Sequence, residues 1–99
     1  MSTAPYGPDW PSILARYHAA KSEHPGALVL LRRGDFYEAF GEDAERLAAA
    51  LELTLMSRGG AALAGVPAHS IERYTGALKS LGMETVLVAA GPDAAGRAG

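Results

Sequence analysis

Residues 27–31, Ala-Leu-Val-Leu-Leu, form an unbroken apolar run closed on one side by Pro25-Gly26 and on the other by Arg33-Gly34-Asp35. A run this short, bounded by turn residues, suits a strand covered on both faces better than a helix. The next segment, Phe36-Tyr37-Glu38-Ala39-Phe40, is rich in strand-forming aromatics. Gly34 supplies a residue free to take positive φ where a tight hairpin needs one, so 36–40 is expected to pair back against 27–31.

The flanking sequence reads as helices that cover this hairpin. Asp9 with Pro11 is a helix start, a capping carboxylate followed by proline in the first turn. Trp10, Ile13, Leu14 and Tyr17 then recur at helical spacing until Pro25-Gly26, which predicts a helix over roughly 10–23. Beyond Gly41, the acidic run Glu42-Asp43-Ala44-Glu45 suits the positive end of a helix dipole, and Ala44, Leu47, Ala48 and Leu51 make the apolar stripe of a second helix, about 42–51. Leu53 to Met56 is a plausible third strand, and Ser57 to Pro67, with Gly59, Gly60, Gly65 and Pro67, reads as a loop. Ile71, Tyr74, Leu78 and Leu81 mark a third helix closed by Gly82, and Val86-Leu87-Val88 a last strand. Strands separated by helices tend to be parallel and hairpin strands antiparallel, so the order α-β-β-α-β-α-β describes an α/β (α+β) domain, a small mixed sheet flanked by helices. Residues 1–9 are expected to be a flexible arm, 10–90 one domain, and 91–99 a Gly/Ala tail.

Composition narrows the function. At 99 residues with 48% hydrophobic content there is one modest core. The formal charge of -2 provides no sequence-wide positive field, so any contact with nucleic acid must be local. The chain has no cysteine, which removes disulfides, thiolate metal sites and cysteine nucleophiles together. His18, His24 and His69 have no ligand spacing, and no apolar stretch approaches membrane-spanning length. A cytoplasmic chain without metal or cofactor is the expectation. Asp35, Glu38, Glu42, Asp43 and His69 could supply an acid and a base, but nothing in their spacing pairs them and no phosphate loop or nucleophile elbow is present. The Ser57-Arg58-Gly59-Gly60 turn could offer backbone N–H groups and a cation to a phosphate, though a plain loop explains it as well.

Strand alternation isolates one further feature. Phe36, Glu38 and Phe40 share a face, while Tyr37 and Ala39 share the other, so a carboxylate lies between two rings. Taken alone, both phenylalanines are most economically core residues. The sharper alternative is an aromatic wedge and a hydrogen-bond acceptor presented side by side.

Several blocks then agree in order and spacing: G-D-F-Y-E-A-F at 34–40, S-R-G at 57–59, A-G-V-P-A-H at 64–69, and the helix with Tyr74 and Leu78. Over about Tyr17 to Val88 the chain resembles the N-terminal mismatch-recognition domain (domain I) of the MutS family of DNA mismatch-repair proteins, whose heptapeptide is close to G-D-F-Y-E-L-F. The resemblance implies a MutS N-terminal-domain-like fold. It implies that Phe36 enters DNA from the minor groove and stacks on a mispaired or unpaired base, while Glu38 hydrogen-bonds that base. Arg33, Asp35, Arg58, Leu63 and Ala64 complete the expected DNA-binding set, and the resemblance revises Phe36 from core residue to protruding ring, leaving Tyr37 and Phe40 structural. Such a wedge discriminates through the softness of a mispaired step, which costs less to unstack than a matched one. Glu38 repels phosphates and helps only where a donor is offered or where its carboxyl is protonated, so it supplies selectivity and little affinity.

The chain also departs from the family pattern. Arg33 replaces a usual methionine and could gain a phosphate contact; Ala68 stands where the family has tyrosine; Ala62-Leu63 replaces Pro-Met ahead of Ala64-Gly65; and Val88-Ala89-Ala90 replaces the run that ends the last strand. The family's connector, lever, clamp and ATPase regions have no counterpart in this sequence. Without them the expectation is a non-enzymatic, stand-alone module that binds mismatched double-stranded DNA weakly, through Arg32, Arg33, Arg58 and Arg73, and gains avidity from a partner. The alternative is a protein-interaction or regulatory module that keeps the fold, has lost DNA binding and engages a mismatch-repair protein.

Overall fold

The computed structural model describes residues 10–58 and 60–88. The expected Asp9 cap, the arm at 1–9 and the tail at 91–99 lie outside the described residues. Helix α1 spans Trp10–Glu23, strand β1 Leu28–Arg33, β2 Phe36–Phe40, helix α2 Gly41–Leu51, β3 Met56–Arg58 and β4 Ala61–Pro67. A 3-10 turn at Ala68–Ser70 then leads into helix α3, Ile71–Ser80, and strand β5, Thr85–Val88. The strands form one mixed sheet in the order β3-β4-β2-β1-β5. Strand β5 runs parallel to β1, as expected of strands separated by helices, and the other pairs are antiparallel.

Alternation along each strand sends side chains to two covered faces. On one face Leu28, Leu30, Ala39 and Ala64 pack with Ala44, Leu47 and Ala48 of α2 and Leu78 of α3. On the other, Val29, Leu31, Phe40 and Leu63 pack under Tyr17 of α1, with half-buried Ile13 and Ala20 beside it. This explains the continuous apolar run: all of Ala27 to Leu31 is buried. Fully burying each of these leucines contributes about 1.5–3 kcal/mol relative to exposure.

The expected mixed sheet flanked by helices is present, with one strand more than the sequence suggests. Residues 57–67 are not a loop. Most of them form the β3–β4 hairpin, turned near Gly60 at φ 82°. Strand β4 is internal, and Leu63, Ala64 and Val66 are buried at 1%, 0% and 0% exposure. The glycines and proline that mimic a loop have specific places. Gly65 lies opposite Glu38, and Pro67 lies opposite Phe36 where β3, which pairs only with 61–63, no longer runs alongside. The short strand expected at 53–56 is shifted to Met56–Arg58.

Asp43 connects the layers. Although it sits in the acidic first turn of α2, it is 3% exposed and its role is not that of a solvated helix-start charge. Its carboxylate accepts from the Tyr17 hydroxyl at 2.8 Å, the Val29 amide at 3.2 Å, Lys21 Nζ at 3.1 Å and Arg46 Nη1 at 3.4 Å. A buried charge is stable only when paired and hydrogen-bonded, and here the partners come from α1, β1 and α2 itself. Burial raises the Tyr17 phenol well above its ordinary range, and the hydrogen bond and charge of Asp43 add to that.

Candidate nucleic-acid interface

The β1–β2 turn is two residues long, with Arg33 paired to Phe36 and Gly34 at φ 60°. Positive φ at the first turn position matches the twist of the flanking strands, and glycine adopts it without strain. The turn carbonyl of Asp35 accepts a 2.7 Å hydrogen bond from the Ala68 amide, which ties the hairpin tip to the end of β4.

Register across β1, β2 and β4 builds three tiers on the α1 face. Val29, Phe40 and Leu63 lie in or beside the innermost tier, where Phe40 is 8% exposed and meets Tyr17 edge-on at 5.6 Å. Leu31, Glu38 and Gly65 form the middle tier, and Arg33, Phe36 and Pro67 the outermost. Phe36 in the outermost tier is 48% exposed. Its ring is held at the hairpin end and not inside the core.

Glu38 is not a solvated carboxylate. Arg33 Nη1 donates to Glu38 Oε1 at 3.0 Å across the diagonal of the hairpin, and the two side chains are 22% and 16% exposed. Over Glu38 passes Gly65, where a side chain would be tightly placed: a Cβ there would stand 3.2 Å from Glu38 Cγ and 3.2 Å from the Tyr37 carbonyl oxygen. On the opposite face Arg32 donates from Nε to the Gly34 carbonyl at 2.7 Å and stacks over Tyr37 at 5.7 Å. Beside Phe36 a cleft of about 420 Å³ is lined by Arg32, Asp35, Phe36, Pro67, Ala68 and His69. A larger hollow of about 580 Å³ lies away from this tip, between α3 and the start of β5.

The structure therefore brings Arg33, Asp35, Phe36 and Glu38 together at one end of the sheet. Two other candidates are corrected. Leu63 and Ala64 are core residues at 1% and 0% exposure, on opposite faces of an internal strand, so their side chains are not presented at the surface. Arg58 ends β3 opposite Ala61, and its side chain lies outside the described residues. Arg73 is exposed on α3. Of the acid–base candidates, Asp43 is consumed by its buried network and Glu42 is exposed on α2, while Asp35 and His69 border the cleft. Among the described residues no group of three His, Asp or Glu could hold a metal ion.

Sequence reading missed two side-chain relationships here, the Arg33–Glu38 pair and the accommodation of Glu38 by Gly65. The first follows once the two-residue turn sets the register, because Arg33 and Glu38 are then diagonal neighbours. The second needs the β2–β4 pairing, which no local pattern reveals.

No helix among the described residues is long and apolar enough to cross a membrane. The family model described as MutS domain I matches residues 12–97. With a mixed sheet, the aromatic-tipped hairpin and that match over most of its length, the chain belongs to the MutS domain I family, a mismatch-repair-type DNA-binding domain.

Proposed function

We propose that this domain recognises mismatched or kinked duplex DNA by inserting Phe36 from the minor groove at a weakened base step, with Glu38 beside it as acceptor for the displaced base. The observation that carries this reading is the contrast on one strand face: Phe36 is 48% exposed at the hairpin tip while Phe40 is buried. An apolar wedge discriminates by deformability, because a mispair costs less to unstack than a matched pair. Arg33 shares the ring's tier and Arg32 lines the cleft beside it, and such a short basic rim supports only weak, salt-sensitive binding by this domain alone. A mismatch-repair protein that holds the same DNA would then supply the remaining affinity by raising the local concentration.

Titration onto matched and mismatched duplexes at low salt tests the proposal. The expected result is tighter binding to the mismatch, with Phe36→Ala losing about tenfold or more on that duplex, the size of one base–aromatic stack. Equal binding to both duplexes by the unmodified chain would defeat it.

One observation favours a second reading, a protein-interaction module on the same fold. Glu38 engages Arg33 at 3.0 Å, which diverts part of the basic rim from phosphate. Capture of a mismatch-repair protein that persists after nuclease treatment, without a duplex preference, would support that reading in place of the first.

A further inference from the structure

We infer that Arg33 is a positioning residue that sets the degree of mismatch preference by holding and neutralising the Glu38 carboxylate. This rests on the reading of Phe36 and Glu38 as the DNA-contacting pair. Three observations converge on it. Arg33 is the cross-strand neighbour of Phe36, so its guanidinium belongs to the wedge's own tier. Its Nη1 lies 3.0 Å from Glu38 Oε1, with both side chains largely withdrawn from solvent, where an ion pair is screened less than at an open surface. And Gly65 leaves no side chain over Glu38, so the carboxylate arm lies against the backbone of β4 and is directed within the tip, not splayed into water.

The electrostatic consequence is directional. A bare carboxylate at this tip opposes the phosphates of every duplex, and only a duplex that offers it a hydrogen-bond donor offsets that repulsion. Glu38 alone would therefore penalise matched DNA more than mismatched DNA. Pairing with Arg33 brings the local charge of the two groups to zero and weakens the penalty. Arg33 thus raises affinity for all duplexes and lowers the ratio between them, acting through Glu38. A guanidinium that merely met a phosphate would strengthen both duplexes by the same factor.

The test measures binding to matched and mismatched duplexes for the unmodified chain, Arg33→Met, Arg33→Lys, Glu38→Gln and the double variant Arg33→Met/Glu38→Gln. Arg33→Met is expected to weaken matched binding more than mismatched binding, raising the ratio about three- to tenfold, the scale of one partly buried charge pair. Arg33→Lys keeps the charge and is expected to hold the ratio near that of the unmodified chain. In the Glu38→Gln background, where no carboxylate remains to neutralise, Arg33→Met is expected to leave the ratio unchanged. An equal loss on both duplexes, or a change in ratio that persists in the Glu38→Gln background, overturns the inference while a mismatch preference abolished by Phe36→Ala still upholds the wedge. Absence of any mismatch preference in the unmodified chain overturns both.

Discussion

Phe36 and Phe40 stand four residues apart on one face of the same strand, yet Phe36 is 48% exposed and Phe40 8%, sealed edge-on against Tyr17 at 5.6 Å. Two turns of the strand's pleat separate a ring in the core from a ring in solvent, because α1 covers only the inner tiers of the sheet. Substitution should separate them cleanly. Phe40→Ala is expected to cost about 3–5 kcal/mol of folding stability, as a buried aromatic does. Phe36→Ala is expected to change stability by less than about 1 kcal/mol while removing the mismatch preference. Urea unfolding alongside duplex titration reads both, and a comparable loss of stability in the two variants would place Phe36 in the structural class.

The Tyr17–Asp43 bond predicts a specific alkaline limb. Burial first, then Asp43, raises the folded-state phenol pKa above its unfolded value of 10.0, so between the two values the native state holds a proton that the unfolded chain has lost. By linkage, stability is fully present below the unfolded value and falls as pH rises beyond it towards the folded one. Tyr17→Phe should lower stability near neutrality by about 1–3 kcal/mol, since it leaves the buried carboxylate one donor short. It should also flatten the decline above about pH 10. Urea midpoints measured from pH 7 to 11 compare the slopes; identical slopes would show that Tyr17 does not carry the limb.

Even a methyl group at Gly65 is expected to strain the sheet. The 3.2 Å approach to the Tyr37 carbonyl is to backbone inside a paired sheet, which cannot retreat as a flexible side chain would. Gly65→Ala should destabilise by about 1–3 kcal/mol, the usual cost of overpacking. It should also displace the Glu38 side chain, so any mismatch preference is expected to shift with it. Thermal unfolding checks the first effect and the duplex ratio the second.

Glu52 offers the opposite case. It closes α2 in the left-handed region at φ 57°, with its amide bonded to the Ala48 carbonyl, and its side chain is exposed. A residue with a Cβ pays about 1–2 kcal/mol in that region, partly offset by the greater freedom of an unfolded glycine. Glu52→Gly is therefore expected to stabilise the fold by a few tenths to about 1 kcal/mol, seen as a higher urea midpoint with unchanged slope.

Local pattern carried much of the architecture. Helical spacing of apolar residues located α1 and α2 to within a residue or so, the Pro25-Gly26 and Gly34-Asp35 breaks bounded β1, and alternation separated Phe36, Glu38 and Phe40 from Tyr37 and Ala39. The β3–β4 hairpin was illegible for a physical reason. Gly65 and Pro67 are residues that loops prefer, and their strand placement is justified only by what lies across the sheet, a glutamate needing room and an edge with no third strand to bond. Reading that stretch as a loop put Leu63 and Ala64 at the surface, where they do not belong. Asp43 was misread in the same way, since acidic residues suit a helix start whether or not α1 later folds over them.

The order of apolar and turn residues by itself determined a hairpin with an aromatic at its tip and helices to cover it, because these are short-range consequences of periodicity and of glycine's access to positive φ. The family resemblance pointed to Phe36 as the uncovered ring, but only the tertiary structure decided what leaves it uncovered, which arginine faces Glu38 and which glycine makes space for it. Those outcomes depend on where α1 stops across the sheet and on the register of β4 against β2, distances set between residues far apart in the chain that no local preference encodes.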